Sequence, residues 1–347
     1  PSNPISQGIS VAKSNSLELG MNISLFDSKV TLDATYYDED RKDEIIGADL
    51  PSSTGASSLV TNSGLVNRKG IELVLGLKPV VTEDFQWNLN VNFADNTTKV
   101  LRIAEGLDSY ALATSSFSFV TLTNRVGEEW GQLVGAKRNV DAQGRYILNS
   151  SGTYTSTPGT SLGSVLPEFT GGVFNSFTYK DLTLNATFTF QSGGKFFSLT
   201  ENWGTYSGLT INTVGNNDKG NPLRDATADG GGVHVTGVTT GGTAVDTYLD
   251  AVTYFNQQYS NRLADPFVHD ASYFKLSEVS LSYNIPIKTN KYLKGARVGV
   301  IAKNIWLIAT SSENYHNWDP SQFANSYGEN GQLPGTRSIG ANIKLTF

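Results

Sequence analysis

Gly159-Thr160-Ser161-Leu162-Gly163 spells the G-x-S-x-G pattern in which hydrolases hold a serine nucleophile on a sharp turn between a strand and a helix. Pro158 and a Ser/Thr-rich stretch precede it and no helical pattern follows, so the match reads as chance and no catalytic residue is assigned. Asp38-Glu39-Asp40 and Glu128-Glu129 would suit acid/base work only if neighbours converged, and adjacent residues of a strand point to opposite faces. They read as solvated loop ends. Asp225 and Asp229, with Asn216, Asn217 and Asp218, are oxygen donors of the kind calcium prefers, but the EF-hand spacing is missing. The chain has no cysteine, and His234, His269 and His316 lie far apart in sequence, so no metal and no cofactor is assigned. The strongest signal lies between residues 193 and 270. There Trp203, Tyr206 and Tyr248 offer flat apolar faces beside Asn202 and Asp246, a chemistry suited to sugar rings or peptide side chains. Asn202, Trp203, Tyr206 and Tyr248 are therefore the candidate substrate-binding residues, with packing inside the loop as the plainer alternative.

The elements that position these residues are strands. Glycine (35 residues), Ser, Thr and Asn are abundant, aromatics reach 11%, charged residues only 17%, and there is one Met, a mixture suited to strands and turns. No amphipathic helical stretch of useful length is evident. A formal charge of -6 without a Lys/Arg cluster excludes a nucleic-acid partner, because phosphate neutralisation needs a basic face. No run of about 18 apolar residues is present, which excludes a spanning helix but not spanning strands of about 9–11 residues each. No signal peptide is seen, and the opening Pro1-Ser2-Asn3-Pro4 suggests a processed or truncated product.

Ile339, Ala341, Ile343, Leu345 and Phe347 alternate with Gly340, Asn342, Lys344 and Thr346, which is the period-2 signature of a strand with one oily and one wet face. The pattern recurs over 17–25, 30–36, 71–78, 87–94, 169–179, 182–190, 274–287 and 298–308. A pair near 114–125 and 129–138, of poor alternation, brings the expected count to about eleven. Short turns at 26–29, 79–84 and 179–181 alternate with long polar connections at 38–63, 193–270 and 310–336. Phase slips predict β-bulges near Ser277-Glu278 and Lys303-Asn304.

Short turns on one side and long loops on the other are the habit of outer-membrane barrels. Glu18, Asn22, Asp33, Glu72, Asn88, Asn90, Asn92, Asn185, Asn342 and Lys344 would wet the lumen, while Phe26, Tyr36, Tyr37, Trp87, Tyr179, Phe190 and Tyr283 sit at strand ends as an interfacial girdle requires. The terminal Phe347 suits a C-terminal barrel-assembly signal. The fold class expected is all-β, a transmembrane antiparallel barrel with long extracellular loops. An odd strand count implies a part of a larger barrel, since single-chain bacterial barrels have even numbers. The alternatives are a soluble β-sandwich or adhesin that binds glycan, and a passive porin.

The chain resembles the C-terminal part of SusC/RagA-type TonB-dependent transporters of the Bacteroidetes. The resemblance rests on Ser16-Leu17-Glu18-Leu19-Gly20, Leu25-Phe26-Asp27, Asp33-Ala34-Thr35-Tyr36-Tyr37, Asn62-Ser63-Gly64 and Asn67-Arg68-Lys69-Gly70-Ile71-Glu72. It continues through Leu166-Pro167-Glu168-Phe169-Thr170-Gly171-Gly172, Gln191-Ser192-Gly193-Gly194, Asp270-Ala271-Ser272-Tyr273-Phe274-Lys275-Leu276, Asn304-Ile305-Trp306 and Asp319-Pro320, in family order. It implies a plugged barrel of about 22 strands of which residues 1–347 are the C-terminal part, with plug and N-terminal strands lying outside this sequence. It also implies a SusD-like surface lipoprotein as lid, against which the loop aromatics would be free to pack, and import energised through TonB. The segment Asn139-Val140-Asp141-Ala142-Gln143-Gly144-Arg145 departs from the acidic Asp/Asn/Gly run often found there, and a metal site is not expected in it.

Overall fold

The computed structural model describes residues 5, 9–49, 58–62, 64–287 and 292–347. Nine long strands, each bonded antiparallel to the next, form one sheet in chain order. They are β1 (Lys13–Leu25), β2 (Val30–Lys42), β3 (Leu65–Val81), β4 (Phe85–Arg102), β5 (Phe169–Tyr179), β6 (Leu182–Ser192), β7 (Tyr273–Ile285), β8 (Gly295–Thr310) and β9 (Ser338–Thr346). Lengths of 9 to 18 residues match the span a tilted membrane strand needs. The tight connections form where expected: Phe26, Asp27, Ser28 and Lys180 take positive φ, and Lys29 N donates to Phe26 O across the first turn. The partner side of the β7–β8 turn falls on residues 288–291, outside the described residues.

Register turns alternation into belts. Ile23, Leu32, Leu75, Val91, Val173, Phe188, Leu276 and Trp306 lie side by side, one per strand from β1 to β8. The adjacent row on the other face runs Ser24, Thr31, Gly76, Asn90, Phe174, Thr187, Glu278, Lys303 and Ser338. Because directly paired residues share a face, one side of the sheet is oil and the other is mostly polar. Among the described residues no other sheet or helix packs face to face on the wall, so the oily side is bare. Leu19 and Trp306 are each about 60% exposed there, and Phe26, Tyr179 and Tyr283 rim the short-turn end. The β-bulges fall as expected: Ser277 is skipped against β6 and β8, and Asn304, at positive φ, is skipped on β8. Gly171 is needed in β5 because a Cβ there would meet the Phe190 ring at 2.4 Å.

The expected count of about eleven is corrected to nine wall strands. Val120–Arg125 and Gln132–Arg138 instead pair with each other and with Ser109–Thr114 and Ser156–Ser164 in a separate four-stranded sheet. Their alternation is poor because they are covered on both faces, with Leu122 and its partner Leu133 buried on one side and the pair Thr123 and Gln132 buried on the other. The long connections are likewise built rather than structureless. They hold the hairpins Ile45–Asp49/Ser58–Asn62 and Val233–Val238/Ala244–Leu249, and a small sheet of Val268–Asp270, Lys195–Ser198 and Gly328–Glu329. Two short helices also occur, α1 (Leu199–Tyr206) and α2 (Ala251–Ser260), which corrects the expectation of none of use. The four-stranded sheet, the small sheet and α1 share a core of Phe119, Val120, Leu122, Leu133, Phe197, Leu199, Ala264, Phe267 and Tyr327, drawn from three separate connections.

This loop body lies over the polar side of the wall at its long-loop end. Val66, Val100 and Lys275 are on the polar face by register, yet all three are buried. Gly127 N donates to Val100 O, Trp130 N donates to Thr98 O, and Lys275 Nζ reaches Asp319 at 2.6 Å.

Candidate functional site

The short α1 carries three of the four candidate residues. Ser198 caps it by accepting from Glu201 N at 3.1 Å, the first half of a capping box Ser198-x-x-Glu201. The Glu201 side chain does not complete the box. It is fully buried, meets His269 Nε2 at 2.5 Å and accepts from the Tyr315 hydroxyl, with His316 Nε2 3.8 Å away. Burial, and Glu201 beside it, push the Tyr315 phenol above its ordinary range. A second buried carboxylate, Glu329, accepts from Ser198 Oγ at 2.9 Å and from the Thr200 hydroxyl at 2.6 Å. Two carboxylates from distant parts of the chain thus fix the N-terminal turn of α1.

Helical geometry then sorts the candidates. Asn202 is fully inaccessible, and neither atom of its amide has a protein partner. Trp203 and Tyr206 emerge on the open side, Trp203 against Phe117 (4.6 Å between rings) and Tyr206 stacked on Tyr259 of α2 (4.5 Å). Tyr248 is not with them. It lies flat on His234 (4.7 Å, 9° between planes), donates to Asp218 at 2.6 Å and carries Lys219 Nζ 3.6 Å over its ring. Donation to Asp218 pushes the Tyr248 phenol up to about 12. The structure therefore brings Trp203 and Tyr206 together and separates Tyr248 from them. Asp246, the expected polar neighbour, pairs with His234 Nε2 at 2.7 Å.

Two open clefts adjoin the C-terminal end of α1. One, of about 580 Å³, is walled by Phe117, Leu199, Trp203 and Leu209, with Ser116, Thr200, Thr210 and Asn330 among its polar members. The other, of about 780 Å³, is walled by Tyr206, Arg224, Asp225, Asp250, Phe255 and Asn256. Ser207 lines both. Arg224 ties the wall of the second cleft together by donating to Gly208 O and Thr213 O.

The other chemistry-bearing stretches have local work. Ser161 sits on the strand Ser156–Ser164 and donates to Glu128 Oε2 at 2.6 Å while receiving Arg125. Asp38, Glu39 and Asp40 lie within β2 rather than at a loop end: Asp38 and Asp40 both take Asn67, and Glu39 on the opposite face takes Ser14. Burial, with Glu168 nearby, raises the Glu129 carboxyl. Asp218 turns to Tyr248 and His234, and Asn217 holds the loop backbone at Lys219 and Asn221. Asp141 is closed by Arg145 at 2.7 Å. Phe347 stands exposed at the end of β9.

Residues 12–191, half of the chain, match the family described as TonB dependent receptor-like, beta-barrel. The chain belongs to the TonB-dependent receptor β-barrel family. It is an outer-membrane β-barrel chain, and the resemblance the motifs implied is seen again in its likeness to SusC and to the RagAB structure. It is 25% identical over 366 residues to TonB-dependent receptor P3 of Formosa agariphila, covering 96% of this chain and 34% of that protein. It is 22% identical over 325 residues to TonB-dependent receptor SusC of Bacteroides thetaiotaomicron, covering 89% of this chain and 29% of that one. The solved structure of the RagAB peptide transporter superposes with a TM-score of 0.67 at 19% identity, covering 97% of this chain and 35% of that chain. This chain spans about a third of the length of these relatives.

Within this receptor barrel, the residues that sequence reasoning missed are Glu201, Glu329, His269, Tyr315 and Arg224. The capping box at Ser198-Leu199-Thr200-Glu201 was the available signal for α1. No signal joins Glu201 to His269, or Ser198 and Thr200 to Glu329, since the separations are 68, 131 and 129 residues.

Proposed function

We propose that this chain is the C-terminal part of the barrel wall, with the extracellular loops, of a TonB-energised outer-membrane importer. Its substrate is a nutrient such as an oligosaccharide or oligopeptide, and a SusD-like surface lipoprotein serves as its lid. The observation that carries this reading is the two-sided wall: a bare belt from Ile23 to Trp306 outside, and inside a polar face whose long-loop end is roofed by a packed loop body. An oily face without a second sheet is stable only against acyl chains, and a roofed polar lumen suits gated passage rather than open diffusion. The plug, the TonB-contacting segment and the remaining strands would be supplied outside these residues. Phe347, exposed on the final strand, would serve as the assembly signal.

The test is uptake in the native organism with the gene, tonB or the gene of the SusD-like lipoprotein deleted in turn. Loss of uptake in all three strains is expected. Uptake that survives tonB deletion would establish the passive-porin alternative. Removing Phe347 should lower the amount of folded protein in the outer membrane without changing its synthesis.

A further inference from the structure

We infer that the two clefts flanking residues 204–209 form one ligand site with two subsites, and that its ligand is a peptide rather than a glycan. The inference rests on the import reading above and adds the substrate class.

The apolar cleft decides the class. Phe117, Leu199, Trp203 and Leu209 present ring and methyl surface, with few polar atoms among them. A sugar can lay one ring face on Trp203 and hydrogen-bond Thr200, Thr210 or Asn330, but its hydroxyls turned toward Phe117, Leu199 and Leu209 would lose water without recovering hydrogen bonds, at a cost of about 1–3 kcal/mol each. A Leu, Phe or Met side chain has no such loss and gains about 1.5–3 kcal/mol on full burial. The volume, about 580 Å³, accommodates one or two such side chains.

The neighbouring cleft supplies the complementary chemistry. Arg224 and Asp225 are both exposed, and among the described residues Arg224 has no carboxylate at ion-pair distance and the Asp225 carboxylate has no hydrogen-bond partner. Asp250, on the same wall, gives one oxygen to Thr227 N. A guanidinium and two carboxylates around Tyr206 and Phe255 make a bipolar surface, matched by a ligand that carries both charge signs close together. Because Ser207 lines both clefts, the apolar and the charged group must be neighbours in the ligand. A peptide with a large apolar residue beside charged residues meets that demand; a neutral oligosaccharide could hydrogen-bond the charged groups but brings neither a charge nor a large apolar side chain.

The full-length receptor, solubilised in detergent, is incubated with a tryptic digest of casein or with a mixture of malto- and xylo-oligosaccharides, and bound species are read by native mass spectrometry. Retention of peptides enriched in Leu, Phe or Met next to charged residues, with no oligosaccharide retained, is expected. Leu209→Asp, at a side chain 83% exposed and so without a folding role, should lower retention of apolar peptides at least about tenfold. Trp203→Ala should act in the same direction, with an unchanged heat-modifiable band as the fold control. Oligosaccharide retention, or peptide retention indifferent to both substitutions, overturns the inference while leaving TonB-dependent uptake intact. Loss of the import reading would show instead as peptide binding without TonB-dependent uptake.

Discussion

The wall and the loop body are made from the same residue types and bury them in opposite ways. Of the apolar residues that are buried, the wall contributes only Val66 and Val100, both under the loop body, whereas Phe119, Leu133, Phe197, Leu263 and Phe267 of the body are almost wholly enclosed. In the body, water expels apolar surface and the connections must find one another to hide it. In the wall, lipid is the solvent, so the oily rows need no partner and the backbone ladder alone sets the shape. The two regions should therefore respond differently to the same kind of substitution.

Phe197→Ala removes a fully enclosed ring stacked near Phe119 at 6.0 Å and should cost the loop body about 3–5 kcal/mol. Limited proteolysis should then cut residues 193–270 while the barrel still migrates as folded; equal loss of the barrel would break the distinction. Leu75→Arg puts a charge on the oily belt and should cost about 2–4 kcal/mol in urea titrations of protein refolded into vesicles. Asn90→Lys, one row away on the polar face, should stay within about 0.5 kcal/mol, and the gap between the two measures how firmly the faces are assigned. Glu201→Ala leaves His269 and Tyr315 without their buried acceptor, an expected loss of about 1–3 kcal/mol seen as faster hydrogen exchange across α1. Glu278→Gln, which breaks the half-exposed 3.4 Å pair with Lys303, should change wall stability by only about 0–1 kcal/mol.

The same division explains how far the sequence could be read. All nine wall strands follow from alternation, and the bulges at Ser277 and Asn304 follow from where the alternation slips, whereas the register shifts at Leu65/Val66, Leu77/Val80 and Phe274/Lys275 do not. A strand with unlike sides announces itself locally. Val120–Arg125 and Gln132–Arg138 misled because strands covered on both faces lose that signature, and they were placed in the wall instead of the body. Trp203 and Tyr206 were found by residue type alone, and type alone also drew in Tyr248, which belongs to the His234 stack, and Asn202, which faces inward.

Residue order by itself set the wall: which strands exist, which face of each is oily, where the short turns lie, and two of the places where the register slips. Those features depend on contacts within a strand or across a single turn, and period 2 records them directly. The tertiary structure alone decided that Glu201 meets His269 and Tyr315, that Glu329 holds the start of α1, and that Trp203 and Arg224 end up on either side of residues 204–209. Those pairings close chain separations of up to about 130 residues, and only the burial of a shared apolar core determines which of many possible partners each side chain meets.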